Sequence, residues 1–298
     1  MSKLNRTKII TIVCWSISAL ALVGLLIWVL LGFGGRGGWS FGFETGAFEP
    51  MGTHAVPAEE IDSLFVDWIS GAVSIRVHAG DEIEITEFAR RSLRDNEEML
   101  FNIDGGTLRI YFAERRMFQT NMPSKQLEIL IPYALSENFA NFQVNTVSGR
   151  IEVSDISANA VSLRTTSGRI MISDIEADEI HLHTVSGRIE TENTMTADLQ
   201  AQTTSGRHEL SGDFQRVNAR STSGRIEVRS TTVPESLTAR TTSGRIEVTV
   251  PNEEAVSVQY SMSSGRFSSE IPVLSHAGAD AQFHLTTTSG RISIFALR

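Results

Sequence analysis

The sequence predicts an all-β protein: a β-solenoid, or β-helix-like stack, with coils of about 19 residues, preceded by one N-terminal transmembrane helix. Three observations carry that prediction. Ser-Gly-Arg recurs eight times, with glycines at Gly149, Gly168, Gly187, Gly206, Gly224, Gly244, Gly265 and Gly290. Apolar and polar residues alternate on both sides of each glycine, the pattern of half-buried strands. The stretch Ile9–Leu31 holds 23 residues without a charge.

The N-terminal elements come first. As a helix, Ile9–Leu31 would extend about 34 Å, enough for the hydrocarbon core of a bilayer. Lys3, Arg6 and Lys8 precede it, and acidic residues dominate after Arg36. That bias places residues 1–8 in the cytoplasm and the body beyond residue 31 outside. The alternative is a cleaved signal peptide, but the apolar stretch is long and lacks Ala-x-Ala at its end. Cys14, the only cysteine, lies within the span, so no intrachain disulfide is available and the outer body must rely on packing.

Residues 32–56 are rich in Gly, Phe and Trp, the composition of a flexible juxtamembrane linker. Residues 57–139 read as a separate β region that caps one end of the solenoid and protects its edge. Within it, Phe65–Val77 looks like a degenerate copy of the corner motif. Asp104-Gly105-Gly106 reads as a turn feeding a strand from Thr107, and Leu127–Pro132 as a strand ended by proline. The charged stretch Glu87–Met99 is either a loop or a short helix.

Residues 140–298 carry the eight copies. The steps between glycines are 19, 19, 19, 18, 20, 21 and 25 residues, too short for helix-pair repeats. Aligned on the glycine, four columns are apolar and form the expected core. In the second copy they are Val161, Leu163, Ile170 and Ile172. The column three before the glycine is mostly Thr, placed inward with its hydroxyls bonding along the stack or to the turn backbone. Each glycine is expected to supply the φ > 0 backbone of a tight corner.

The residue after the glycine is always arginine: Arg150, Arg169, Arg188, Arg207, Arg225, Arg245, Arg266 and Arg291. At ladder spacing, neighbouring guanidiniums repel by roughly 0.9 kcal/mol at water's dielectric. Relief stands two residues on, at Glu152, Glu190, Glu209, Glu227 and Glu247. The same arginines are candidate ligands for a repetitive polyanion such as a cell-envelope polymer. Residues 140–298 nevertheless hold 14 Arg against 18 Asp+Glu, a net of 14 − 18 = −4. That balance opposes a strong polyanion field, and the net charge of −9 argues against nucleic acid.

Several features together resemble the bacterial envelope family known as putative adhesins, a domain of unknown function. They are the N-terminal anchor, the Asp104–Ile110 turn-strand, the Leu127–Pro132 strand and the reiterated Thr-Thr-Ser-Gly-x-Ile. The resemblance spans about Ile61 to Ile294. Members often have Asp where this chain has Arg, and the resemblance supplies no catalytic residue.

Candidate chemistry is thin. Some β-solenoids cleave polysaccharides, but glycosidase chemistry needs two carboxylates held at different pKa values. Here each Glu of the column sits beside Arg, which favours ionisation. Asp155 and Asp174 occupy equivalent positions, as turn residues do. His181 and His183 share the outer face of one strand without a third ligand nearby. His208 replaces a core isoleucine. A serine at every corner speaks for turn chemistry, not for one activated nucleophile. The reading is therefore a membrane-anchored, extracytoplasmic, non-enzymatic module for adhesion, scaffolding or envelope sensing. It has no cofactor, metal or catalytic residue, and its partner is an envelope polymer or another envelope protein. The alternative is a cell-surface carbohydrate-active enzyme, a polysaccharide lyase or hydrolase.

Overall fold

The chain divides into two units, Met1–Phe43 and Glu44–Arg298. The structure, a computed structural model, describes residues 46–113, 122–137, 139–252, 255–274 and 280–297. The expected cytoplasmic tail and the span Ile9–Leu31 lie outside the described residues. Among the described residues no helix is long and apolar enough to cross a membrane.

The strands begin with β1 (Glu49–Pro57), β2 (Ser63–Ser70), β3 (Val73–His78), β4 (Glu82–Ala89), β5 (Leu100–Asp104), β6 (Thr107–Tyr111) and β7 (Lys125–Pro132). After one helical turn, Tyr133–Ser136, come β8 (Phe139–Ser148), β9 (Ile151–Ser167), β10 (Ile170–Ser186), β11 (Ile189–Ser205) and β12 (His208–Ser223). The remainder are β13 (Ile226–Ser230), β14 (Ser236–Ser243), β15 (Ile246–Val250), β16 (Val256–Ser269), β17 (Val273–Leu274) and β18 (Gln282–Ala296). From β8 onward all pairings are parallel, and one apolar core runs from Val56 to Ile294. The expected solenoid is the observed architecture.

Burial along β9 shows how one coil bends. Ile151 and Val153, Ile156 and Ala158, then Val161, Leu163 and Thr165 are buried. The inward spacing is two residues within each group and three between groups. Each slip marks a bend, so a coil has three sides. Asp155 and Asp174 take left-handed φ values of 62° and 54° at the first slip, as does Asn193 at 46°. Asn and Asp tolerate that region best among non-glycine residues. The middle side adds two core columns, Ile156–Ile175–Thr194 and Ala158–Ala177–Thr196–Phe214, that the alternation around glycine did not reveal.

Both ends depart from sequential stacking. At the C-terminal end β18 lies between β14 and β16, so the Gly290 corner stacks directly on Gly244 and Gly265 lies outermost. The 25-residue last step is the length of this return. Tyr260, placed by alignment in a core column, is 52% exposed because no further coil covers it; its ring stacks on Phe267 at 4.2 Å. At the N-terminal end the pattern is mirrored. The β2–β3 coil, with its corner at Gly71, sits between the β6–β7 pair and the β8–β9 coil. The strands below residue 140 thus include a true coil, the degenerate copy at Phe65–Val77. Beyond it, β5 pairs antiparallel with β6 and β4 with β7. They close the edges that β6 and β7 would otherwise expose.

The linker expectation needs correcting at its C-terminal part. Residues 49–56 belong to β1, paired antiparallel with β4. An alternation of small and polar residues, Gly52-Thr53-His54-Ala55-Val56, is too weak a strand signal to outweigh the Gly-rich composition. The charged stretch from Glu87 opens as strand, through Ala89, and continues as loop without a helix. Lys125, in register with Gly71 two residues before the Leu127–Val73 pair, is fully buried at the outermost corner. Its Nζ lies 2.5 Å from Glu87 Oε1, donates to the carbonyls of Glu97 (2.6 Å) and Phe112, and sits 5.0 Å over the Trp68 ring. Burial pushes the Lys125 ammonium down from its ordinary value, and Glu87 opposes that shift.

Candidate functional site

The corner ladder is the most regular feature of the molecule. A β-carbon built on Gly168, Gly187, Gly206 or Gly224 would lie 1.7 to 1.8 Å from the carbonyl oxygen of the preceding corner glycine. No side chain fits there. The expected positive φ is present at five repeat corners, Gly168, Gly187, Gly224, Gly244 and Gly265, at 147° to 159°, and at Gly71, at 92°, a backbone that L side chains rarely adopt. Glycine is required there both by that backbone and because successive corners touch. Amide hydrogens complete the contact, with Gly168 N–H donating to the Ser186 carbonyl at 3.0 Å and Ile170 N–H to that of Arg188 at 2.9 Å. The inward threonines bond as anticipated. Thr146 donates to Thr165 at 2.9 Å, and Thr184 to the Gly168 carbonyl at 3.5 Å.

The arginines leave the corner at the surface, and most are committed. Arg150, Arg188 and Arg207 each donate at 2.8 Å to the Glu two residues on, and Arg245 to Glu247 at 3.1 Å. Longer contacts cross between coils, Arg169 to Glu190 at 3.8 Å and Arg188 to Glu209 at 4.0 Å. Glu190 beside it raises the already high pKa of Arg188. Where the glutamate is missing the pattern changes. Arg169 meets the Met171 sulfur at 3.8 Å, and Arg266 and Arg291 face each other across the ladder with Ser268 and Ser293 in the glutamate positions.

The other singled-out residues are dispersed. His181 and His183 are half-buried on one outer side, and His181 Nε2 lies 3.6 Å from Glu179. Among the described residues no three His, Cys, Asp or Glu gather as metal ligands would. His208 is fully buried in the isoleucine column, between Ile189 and Ile226, with neither ring nitrogen hydrogen-bonded. Desolvation there lowers its pKa to about 4. Asp155 and Asp174 are turn residues, and Asp174 accepts from Asn193 Nδ2 at 2.5 Å in the next coil.

One surface escaped the sequence reading. The column four before the glycine contains Arg164, Arg220 and Arg240, all exposed. Summing charge over the whole repeat concealed it; tallying charge column by column would have found it.

No curated protein matches the chain. Solved structures similar to it include a putative adhesin from Bacteroides fragilis, 12% identical, covering 81% of this chain and 95% of that one with a TM-score of 0.45. A putative adhesin from Parabacteroides distasonis is also 12% identical and covers 84% and 98%, with a TM-score of 0.43. A putative lipid binding protein from the same species is 13% identical and covers 84% and 97%, with a TM-score of 0.47. The Toastrack DUF4097 family model matches residues 61–295, a span that takes in the Gly71 coil and every later corner, and the chain belongs to that family.

Proposed function

We propose that this protein is a membrane-anchored, extracytoplasmic module that binds rather than cleaves: an adhesion or scaffolding element of the cell envelope. The observation that carries the reading is the repetition of outward chemistry from coil to coil. Catalysis needs one unlike constellation, whereas here each corner offers the same Ser-Gly-Arg. Arginine stands within 2.8 to 4.0 Å of the column glutamates Glu152, Glu190, Glu209, Glu227 and Glu247. Every carboxylate of the column is paired with arginine in the same way, so none stands apart as one half of an acid–base pair.

The anchor rests on the uncharged Ile9–Leu31 stretch behind Lys3, Arg6 and Lys8. In this reading the corner arginines of the middle coils are structural, each tied to its glutamate.

The experiment is retention of the detergent-solubilised full chain on isolated envelope fractions, with the length of the envelope polysaccharides followed during incubation. Retention without shortening is expected. Progressive shortening would establish the carbohydrate-active alternative. Topology is tested separately by protease added to intact cells, which should digest the body and spare the N-terminus. A mature protein starting near Gly32 would refute the retained anchor.

A further inference from the structure

Charge is sorted by side. The outward residues six, four, two and one before each glycine include no Asp or Glu in any of the eight coils from Gly149 to Gly290, although residues 140–298 are net acidic. This side instead presents Arg164, Arg220 and Arg240 among Gln, Asn, His, Ser and Thr. Pairing puts them in one file along the stack. Arg164 neighbours His183, Gln202 neighbours Arg220, and Arg220 neighbours Arg240. Among the described residues none of the three arginines has an ionic partner. The acids stop at the borders: Glu179 and Asp198 on one margin, the corner glutamates on the other, and Asp67 in the Gly71 coil at one end.

The contrast with the corner is informative. There each middle-coil arginine has a glutamate within reach, so the chain has a ready means of relieving like-charge neighbours. On this side Arg220 and Arg240 are adjacent rungs, about 4.8 Å apart, and no carboxylate is supplied. Adjacent like charges on a ladder are destabilising. The free guanidiniums therefore suit an anion from outside.

We propose that this side binds an extended, hydroxyl-bearing anionic polymer laid along the stacking axis, an acidic polysaccharide or a polyol phosphate chain, a proposal that rests on the reading of the protein as a binding module. Guanidiniums pair with carboxylate or phosphate in fork geometry. The flanking amides and hydroxyls, such as Gln200 and Thr222, supply donors and acceptors for sugar hydroxyls. The surface lacks what other partners require. Across the eight coils from Gly149 to Gly290 its outward positions hold no Phe, Tyr or Trp as a platform for nucleic-acid bases, and their large apolar side chains are the isolated Val147 and Val185, not the clustered anchors of a protein interface. In the last two coils the file itself continues as Thr286 and Ser261, while Arg291 and Arg266, in the column after the glycine and without glutamates, add positive charge beside it at one end of the stack.

The test uses the full chain in detergent, with immobilised polygalacturonate and poly(glycerol phosphate) as probes and neutral dextran as control. The two probes separate carboxylate from phosphodiester chemistry. Binding to at least one, lost on raising salt to about 0.5 M, is expected, with none to dextran. The triple change Arg164→Gln, Arg220→Gln and Arg240→Gln should weaken binding by about tenfold or more and leave the thermal midpoint unchanged. The triple change Arg188→Gln, Arg207→Gln and Arg245→Gln should lower the midpoint and alter binding by less than about threefold. Equal loss in both sets, equal binding to dextran, or no binding to either anionic probe would overturn the assignment. If the chain is retained on whole envelope fractions but binds neither anionic polymer, this side is not the site while the binding-module reading stands.

Discussion

Gly187 rests on Gly168 so closely that a β-carbon on Gly187 would lie 1.7 Å from the Gly168 carbonyl oxygen. Gly187→Ala should therefore force the coils apart at the corner and cost several kcal/mol. Gly52→Ala, where the nearest atom would be the His54 ring at an ordinary 3.6 Å, should move stability little. Denaturant midpoints of the two variants measure the difference, and similar values would contradict the touching-corner explanation.

Ile226 and Arg225 are consecutive residues with opposite surroundings. Ile226 is fully buried between His208 and Ile246, whereas Arg225 is at the surface near Glu227 at 3.9 Å. Ile226→Asp places an unpaired charge in the core and should cost several kcal/mol. Arg225→Ala should cost about 1 kcal/mol or less. Thermal unfolding of the pair tests the inward and outward assignment directly.

His208 makes stability depend on pH. Its folded pKa, about 4, lies below the ordinary 6.5 because burial disfavours the imidazolium. Between those values the unfolded chain binds more protons than the folded one. This contribution is fully present above about pH 6.5 and is lost as pH falls to about 4, about 3 kcal/mol in all. His208→Ile, which continues the Ile189 and Ile226 column, should remove that component. Urea titrations of both proteins from pH 7 to 4.5 should diverge steadily; parallel curves would show that His208 is solvated.

Lys125 and Glu87 form a buried pair at 2.5 Å. Lys125→Met should cost about 3–5 kcal/mol by leaving Glu87 buried without its partner. Adding Glu87→Gln should recover part of that loss. A double-mutant cycle read by denaturant unfolding gives the coupling, and strict additivity of the two changes would rule out a direct interaction.

The solenoid was legible because its signal is repeated. Eight aligned glycines turn a weak alternation into columns, and the side around Val161 to Ile172 follows from that alignment alone. The middle side was not legible, because Asp155 shifts the alternation by one residue and the periodicity breaks at the bend. The reason for glycine was only half legible: φ is a local property, but the Gly149 carbonyl that excludes a side chain at Gly168 belongs to another coil. The exchanged order of Gly265 and Gly290 shows only as a longer loop and as departures of the Gly265 copy from the columns, at Tyr260, Met262, Phe267 and Ser269. At the candidate site, the arginine–glutamate pairing at the corner could be read two residues apart. The acid-free side could not, because its members are about 19 residues apart and become neighbours only in the stack.

The placement of Gln282–Ala296 between the Gly244 coil and Val256–Ser269 constrains how the molecule can be made. A solenoid stacked in chain order can grow vectorially, each new coil docking on the last as it emerges. Here that growth halts at Gly244. The segment with Gly265 arrives next but, apart from the two-residue pairing of its start with β17, has nothing to dock on, because its main neighbour is β18, synthesised later. Until β18 arrives, the growing face of the stack and the Tyr260–Phe267 segment are both open strands, the state most exposed to mispairing. Final closure is a non-local event, slower than adding a coil, so completion of this protein is gated by its last strand.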